Sequence, residues 1–190
     1  MKSHARVVVI GGGAVGCSIL YHLTAAGWTD AVLIERDELT AGSTWHAAGL
    51  LPLFNMSYST GQMHLYSIDL YKRLAAEWSR DVGWREVGNL RMARSQDRMD
   101  EFYTYGTTAD AIGVPHEWWS PKDIKDRFPL VNVEGLVGAL YHPTDGYINP
   151  ADITILLADA ARKNGAVIYR QTDAHAIERH ETFGADDLVE

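Results

Sequence analysis

The stretch RVVVIGGGAVGCSILYHLTAAGW, residues 6–28, decides the fold of this chain. It opens with an apolar run at residues 7–10, which predicts a strand at the centre of a parallel sheet, buried on both faces. Gly11, Gly13 and Gly16 follow at the spacing G-x-G-x-x-G, and apolar residues then recur at helical spacing. The stretch therefore predicts a strand, a tight glycine turn and a helix.

A second apolar run, AVLIE at residues 31–35, completes a βαβ unit of the kind that binds dinucleotides. The first glycine allows the sharp bend, the second lets the backbone approach a pyrophosphate, and the third lets the helix pack closely. Glu35 ends the second strand, where a carboxylate accepts hydrogen bonds from ribose hydroxyls and repels the 2′-phosphate of NADP. This turn does not distinguish FAD from NAD as the bound dinucleotide. The cofactor-binding residues predicted from it are Gly11, Gly13, Ala14, Val15, Gly16, Glu35 and Arg36.

The composition is that of a globular protein. Of the 190 residues, 46% are hydrophobic, and the net charge of −8 disfavours a nucleic acid or an anionic membrane as partner. No apolar run reaches the ~20 residues of a membrane span, and the first strand begins so early that we expect no signal or transit peptide. Cys17 is the single cysteine, which fits a reducing cytoplasm and predicts a buried packing role. The eight histidines show no metal-ligand spacing, so we predict no metal site.

The middle of the chain mixes helical and strand patterns. The segment at residues 61–78 carries apolar side chains three and four apart, which predicts a helix with a buried stripe. That stripe consists of Met63, Tyr66, Leu70, Leu74 and Trp78. Further helices are predicted after the N-caps Ser95, Ser120 and Asn149. We predict three parts: residues 1–55 with the βαβ unit, an inserted α+β lobe at 56–148, and a return to the first sheet at 149–190.

The loop AGSTWHAAGL, residues 41–50, sets Trp45 and His46 among small residues that let the backbone approach a ligand closely. With VVVIGGGAVGCSILYHL and LYHPTDGYINP, it resembles the dimethylglycine and sarcosine dehydrogenases of the D-amino-acid-oxidase-like flavoproteins. The resemblance implies an α/β fold with a Rossmann-like, FAD-binding βαβ unit, of which this chain carries only part. It also implies that a ring nitrogen of His46 bonds covalently to the 8α carbon of the flavin.

The distance along the chain allows this attachment. Eleven residues from Glu35 to His46 span at most about 36 Å, enough to follow an extended FAD from ribose to ring. Neutral imidazole is a nucleophile near pH 7. The resemblance places Ser43 and Thr44 near the pyrophosphate and ribitol, and it places the backbone of Ala174 near adenine. The remaining residues implied at the flavin are Gly42, Trp45, Ala47, Ala48, Gly49 and Leu50.

The resemblance implies oxidative demethylation of an N-methyl amino acid, dimethylglycine or sarcosine. The catalytic residues and a tetrahydrofolate-binding domain are expected further along such proteins, so no catalytic residue is assigned here. Asp145 and Gly146 are predicted to be turn residues. Two alternatives stay open: an amine oxidase with non-covalent FAD, similar to glycine oxidase, and a cofactor-binding module without turnover. An NAD dehydrogenase is disfavoured, because nicotinamide binding does not call for the motif at residues 42–49.

Overall fold

The computed structural model describes residues 2–178, which form a mixed α/β fold. In chain order the elements are β1 (Val7–Ile10), α1 (Ala14–Ala25), β2 (Ala31–Ile34), β3 (Leu50–Leu51), α2 (Tyr58–Glu77), β4 (Arg85–Glu86), β5 (Asn89–Ala93), α3 (Gln96–Ile112), β6 (Glu117–Trp119), α4 (Pro121–Arg127), β7 (Gly138–His142), β8 (Gly146–Tyr147), α5 (Pro150–Lys163) and β9 (Val167–Tyr169). The predicted α/β class is confirmed.

The described chain divides into two compact units, one with residues 2–43 and 157–178 and the other with Thr44–Leu156. The borders differ from the predicted 55/56 and 148/149. The reason lies in β3, which pairs with β8 and so ties residues 44–55 to the second unit. The predicted part at residues 149–190 extends outside the described residues, which end at residue 178.

The first unit contains the predicted βαβ arrangement. A parallel sheet of order β1-β2-β9 forms, with Val9 opposite Leu33 and Leu33 opposite Ile168. Helix α1 packs against β1 and β2 and buries Leu20. The strand, glycine turn and helix predicted from residues 6–28 are therefore confirmed.

The predicted central position of β1 is not seen in the part of the chain that the structure describes. Within the described residues β1 lies at the edge of the sheet, and Val8 and Ile10 are 51% and 55% exposed. Strand β2 has a neighbour on each side, and its Leu33 is fully buried. An apolar run in a sequence predicts a strand, but it does not predict which strands pair or which strand lies at the centre of the sheet.

The second unit is built from antiparallel strands and helices. One sheet has the order β5-β7-β6 and the other β3-β8-β4. Helix α3 packs on β5, β7 and α2. The predicted N-caps of α3 and α4 are confirmed, since the Ser95 and Ser120 hydroxyls accept backbone N–H groups three residues on. The core consists of Leu53, Ile68, Ala93, Met99, Phe102, Tyr105, Ala109, Ile112, Val114 and Leu140.

The predicted buried stripe of α2 is wrong in part. Leu70 and Leu74 are buried, but Met63 and Tyr66 are 61% and 52% exposed. Helix α3 decides the orientation at this end, because a Cβ on Gly61 would lie 2.4 Å from Ile112 Cδ1. The glycine side of α2 therefore faces α3, and Met63 faces away from it.

Candidate cofactor site

The glycine turn of the first unit has the geometry that the signature requires. Gly11 has φ +107°, a left-handed value that favours glycine, and its N–H donates to Ile34 O at 2.9 Å. A Cβ on Gly16 would lie 1.9 Å from Gly11 O, so any side chain there displaces the turn. Gly13 is the N-cap of α1, whose N-terminus favours an anion.

Glu35 bonds to the backbone of this turn. Its Oε2 accepts the Gly12 N–H at 2.6 Å, and its Oε1 accepts the Asp37 N–H at 2.9 Å. Partial burial raises the pKa of Glu35, but these two N–H groups and the Arg36 charge together lower it more. The net pKa lies below the ordinary value of 4.5, so the carboxylate is ionised at neutral pH.

Gly12 is a site residue that the sequence reasoning missed. It is buried, and its carbonyl accepts the Thr40 N–H at 3.0 Å while its own N–H bonds to Glu35. A Cβ on Gly12 would lie 2.5 Å from Leu39 Cδ2. The signature counts glycines at the first, third and sixth positions, so the middle one of GGG carried no weight. Its presence between two required glycines was the available signal.

A groove of about 270 Å³ runs along the end of β2. Its floor is held by two backbone bonds, from Glu35 N–H to Tyr169 O at 2.9 Å and from Thr172 N–H to Glu35 O at 2.8 Å. The lining residues are Ile10, Gly11, Ile34, Glu35, Arg36, Thr172, Asp173 and Ala174. The structure thus brings together Gly11, Glu35, Arg36 and Ala174, which were predicted from separate parts of the sequence. A carboxylate beside a turn of glycines fits the ribose and phosphate of an adenosine nucleotide.

The loop with His46 consists of turns from residue 41 to residue 46. His46 is exposed, and Trp45 is 70% exposed rather than packed. A Cβ on Gly42 would meet no atom within 4 Å. Ala47 N–H donates to Thr44 O at 3.3 Å. Ser43, Ala47, Ala48 and Leu50 are also exposed, so this loop presents its motif to the outside of the described chain.

The loop is fixed where it ends, at Gly49. This residue has φ +73°, and a Cβ there would lie 2.1 Å from Ile148 O. Its carbonyl accepts the Ile148 N–H at 2.9 Å. A larger residue at position 49 would break this approach, so the second glycine of the motif has a packing role in the second unit.

Three further observations concern the thiol, metal binding and membrane-spanning helices. Cys17 is fully buried, with its Sγ 3.6 Å from Gly12 O, and burial raises its thiol pKa to about 12, which confirms a packing role. Within residues 2–178, no three His, Cys, Asp or Glu side chains are grouped to hold a metal ion. Over the same residues, no helix is long and apolar enough to cross a membrane.

A buried polar cluster in the second unit was also missed. It contains Tyr105, His142 and Asp145, with Arg91 beside them. Burial raises the pKa of Asp145 to about 6, against the Leu53 N–H and the Arg91 charge, which lower it. Burial, with Arg91 and His116, lowers the pKa of His142 to about 4. His142 and Asp145 lie together in the stretch LYHPTDGYINP, whereas Arg91 and Tyr105 come from β5 and α3, and no sequence pattern connects them to that stretch.

A parallel βαβ unit with a glycine turn and a carboxylate at the end of β2 defines a dinucleotide-binding protein. The family model described as FAD dependent oxidoreductase matches residues 6–189. The chain belongs to that family, and FAD rather than NAD is its cofactor class.

Comparison with known proteins agrees with this assignment. The chain is 42% identical over 167 residues to "Dimethylglycine dehydrogenase, mitochondrial" of Rattus norvegicus, covering 88% of this chain and 20% of that protein. It is 39% identical over 172 residues to "Pyruvate dehydrogenase phosphatase regulatory subunit, mitochondrial" of Mus musculus, covering 90% of this chain and 20% of that protein. The chain therefore spans about a fifth of the length of these curated relatives.

The fold is also found in solved structures. The crystal structure of L-proline dehydrogenase from P. horikoshii superposes with a TM-score of 0.88 at 23% identity, covering 95% of this chain and 48% of that one. The resemblance to the dimethylglycine dehydrogenase group, drawn first from three motifs, is confirmed by these matches.

Proposed function

We propose that this chain carries the FAD-binding part of an enzyme that oxidatively demethylates an N-methyl amino acid, either dimethylglycine or sarcosine. The observation that carries the proposal is the exposed His46 within the motif at residues 42–49, in a chain of the FAD-dependent oxidoreductase family. Similarity to dimethylglycine dehydrogenase over 88% of the chain supports the substrate class.

FAD fits the residues of the first unit. The turn at residues 11–16 and the N-terminus of α1 would hold the pyrophosphate, because free N–H groups at a helix N-terminus favour an anion. Gly16 has no room for a side chain, since a Cβ there would lie 1.9 Å from Gly11 O. Glu35 would accept the ribose hydroxyls, and the backbone at Ala174 would contact the adenine from the same groove. A Glu35 oxygen that accepts both a backbone N–H of the turn and a ribose hydroxyl would couple FAD binding to the geometry of the turn.

His46 would hold the flavin covalently. A ring nitrogen of His46 would form a bond to the 8α carbon, with loss of one proton from that carbon and one from the imidazole N–H. Dioxygen or a dye would take up the two electrons that this bond formation releases. Exposure of the imidazole supports this reading, since a nucleophile needs access to the carbon it attacks.

When bound, FAD supplies the two-electron acceptor for a hydride from the N-methyl carbon, which leaves an iminium for hydrolysis or for transfer to tetrahydrofolate. The residues of this chain hold and orient that acceptor. The substrate-binding residues and the tetrahydrofolate domain would belong to the remaining length of a protein like these relatives.

His46→Ala tests the attachment directly. The variant should lose flavin fluorescence from the protein band on a denaturing gel, because no bond remains to keep the flavin with the polypeptide. His4→Ala, a change of another exposed histidine, should keep the band. A fluorescent band from the His46 variant would move the attachment point elsewhere.

A second candidate is a cofactor-binding module without turnover. The observation that favours it is the similarity to a protein whose name is that of a regulatory subunit, at 39% identity over 90% of this chain. Turnover of dimethylglycine or sarcosine, measured beside flavin content, separates the two functions. Flavin without turnover in the whole polypeptide would favour the module. Flavin released by acid precipitation would instead favour a non-covalent oxidase similar to glycine oxidase.

We also propose a reducing compartment, the cytoplasm, as the location. Cys17 is the single cysteine of the 190 residues and is buried as a free thiol, so no disulfide forms within them. Both curated relatives have names that place them in mitochondria. Cell fractionation with an antibody to this chain separates the two locations.

A further inference from the structure

Leu53 lies seven residues after His46, and its backbone is bonded to two side chains. Its N–H donates to Asp145 Oδ1 at 3.0 Å, and its carbonyl accepts the Tyr105 hydroxyl at 3.2 Å. Leu53 is 2% exposed, and it follows β3 and precedes α2, so no strand ladder continues to it. Buried backbone groups need partners, and here side chains supply both.

The two side chains are themselves buried and fixed. His142 Nε2 lies 3.0 Å from the Tyr105 hydroxyl oxygen. Because the single hydroxyl proton is used on Leu53, Nε2 of His142 carries the proton that it donates to Tyr105. His142 and Asp145 are 0% and 1% exposed. We call Tyr105, His142 and Asp145 the Leu53 clamp.

The clamp continues the contacts that hold the end of the loop at residues 41–50. Strand β8 pairs with β3, and Ile148 N–H donates to Gly49 O at 2.9 Å. Asp145 immediately precedes β8 and reaches Leu53. Four consecutive residues, 145–148, thus contact the chain from residue 49 to residue 53.

The polar side chains of the clamp reduce the stability that it could provide, because some of their buried atoms have no hydrogen-bond partner. Within residues 2–178, the buried side-chain atoms without a hydrogen-bond partner are Arg91 Nε, His142 Nδ1, Thr144 Oγ1 and Asp145 Oδ2. All four belong to the clamp or its immediate neighbours. Apolar residues of the same volume would remove these four unpaired atoms, but they would leave the buried N–H and carbonyl of Leu53 without partners. A polar clamp instead fixes one backbone position with directional bonds.

We propose that Asp145 and Tyr105 are positioning residues for covalent flavin attachment, holding the loop after His46 so that its imidazole meets the 8α carbon. This inference rests on the proposed attachment at His46. A shift of a reacting group by about 1 Å slows a reaction by roughly 100-fold, so a loosened loop end slows bond formation even when FAD still binds.

The test measures the rate of covalent attachment in the whole polypeptide that contains these residues, prepared without flavin and then mixed with excess FAD in air. Acid-precipitable flavin is followed with time, well below the melting temperature of every variant. Asp145→Ala removes the acceptor for Leu53 N–H and should slow attachment by about tenfold or more. Asp145→Asn keeps an oxygen at that point and should restore the rate to within about twofold of wild type.

Ile124→Ala is the matched control for lost stability. Ile124 is fully buried in α4 and makes no part of the clamp, so its variant should melt earlier but attach flavin at the wild-type rate. Amide exchange should increase at Leu53 in Asp145→Ala and remain low in Ile124→Ala. Tyr105→Phe provides a second clamp variant if Asp145→Ala does not fold.

The outcomes separate the inference from its foundation. If wild type attaches no flavin, the proposed role of His46 is wrong, and the positioning role is wrong with it. If wild type attaches flavin and the folded clamp variants do so equally fast, only the positioning role is wrong. A slow Asp145→Asn variant would also overturn it, because the oxygen acceptor would then not be what matters.

Discussion

Glu35→Gln is expected to weaken both the glycine turn and the FAD site. The carboxylate accepts two backbone N–H groups, from Gly12 at 2.6 Å and from Asp37 at 2.9 Å. A glutamine has one oxygen, so its NH₂ group must face one of these two donors. One bond is lost, and the other becomes a bond to a neutral acceptor.

The magnitude follows from these two bonds. A hydrogen bond to a charged group contributes about 1.5–3 kcal/mol and one between neutral groups about 0.5–1.5 kcal/mol. Because Glu35 is only half-buried, water reduces the difference, and we expect a loss of about 1–2 kcal/mol in the free energy of unfolding. The ribose hydroxyls lose a charged acceptor as well, which should weaken FAD binding by about tenfold or more.

The stability difference should depend on pH. The pKa of folded Glu35 lies below its ordinary value of 4.5, so its contribution is present above pH 4.5 and is lost as the pH falls through the folded pKa. Wild type and Glu35→Gln should therefore converge in stability in acid.

The assay combines urea unfolding with FAD titration, both on the His46→Ala background so that binding is reversible. The matched control is Glu38→Gln, which removes an exposed carboxylate paired with Arg170 on the same unit. That variant should stay close to the parent in stability and affinity. Unchanged FAD affinity in Glu35→Gln, or an equal loss in the control, would refute the role of Glu35.

Three further predictions follow from the contacts. Gly16→Ala should destabilise the first unit by about 3 kcal/mol or more, whereas Gly42→Ala, with open space around it, should leave the melting temperature unchanged; equal melting temperatures would contradict the turn geometry. In Asp145→Asn the depressed pKa of His142 acts alone, so the free energy of unfolding should rise by about 3 kcal/mol from pH 4 to 6.5. In His142→Asn the raised pKa of Asp145 acts alone, so the free energy of unfolding should fall from pH 4 to 6. In wild type the two contributions oppose each other, with Arg91 and His116 as the facing charges, so a steep wild-type profile in urea unfolding over this range would count against them. Ala174→Val should keep FAD affinity within about twofold, since a backbone contact is insensitive to the side chain; a larger loss on titration would place the side chain in the site.

Local constraints explain what could be predicted from the sequence. The bend at Gly11 and the close approach of Gly16 involve residues five apart, so a short motif contains the whole requirement. The caps Ser95 and Ser120 act on N–H groups three residues away. These features were predicted correctly because the residues that form each of them are neighbours in the chain.

Contacts between distant residues explain what was missed. The inward face of α2 depends on Ile112, which lies 51 residues after Gly61. The edge position of β1 depends on which strands pair, and an apolar run does not encode pairing. The Leu53 clamp joins residues up to 92 positions apart and has no period to reveal it.

The candidate site divides in the same way. Glu35 was found by its spacing from the turn, but its bond to Gly12 was not, because the signature gives that glycine no task. The role of His46 came from a resemblance, since an exposed histidine in a loop has no distinguishing spacing. Ala174 was predicted on the same basis, and the structure puts it in the groove with Glu35.

The buried thiol gives the protein an internal reporter of its own opening. Cys17 is the single cysteine, its Sγ lies against Gly12 O, and its pKa of about 12 keeps it unreactive while α1 stays packed. An alkylating reagent can therefore modify the chain only during moments when the helix lifts from the glycine turn. The labelling rate, measured by intact mass, would report how often the helix opens. A ligand that closes on the turn should slow this labelling, so nucleotide occupancy becomes measurable without any catalytic assay.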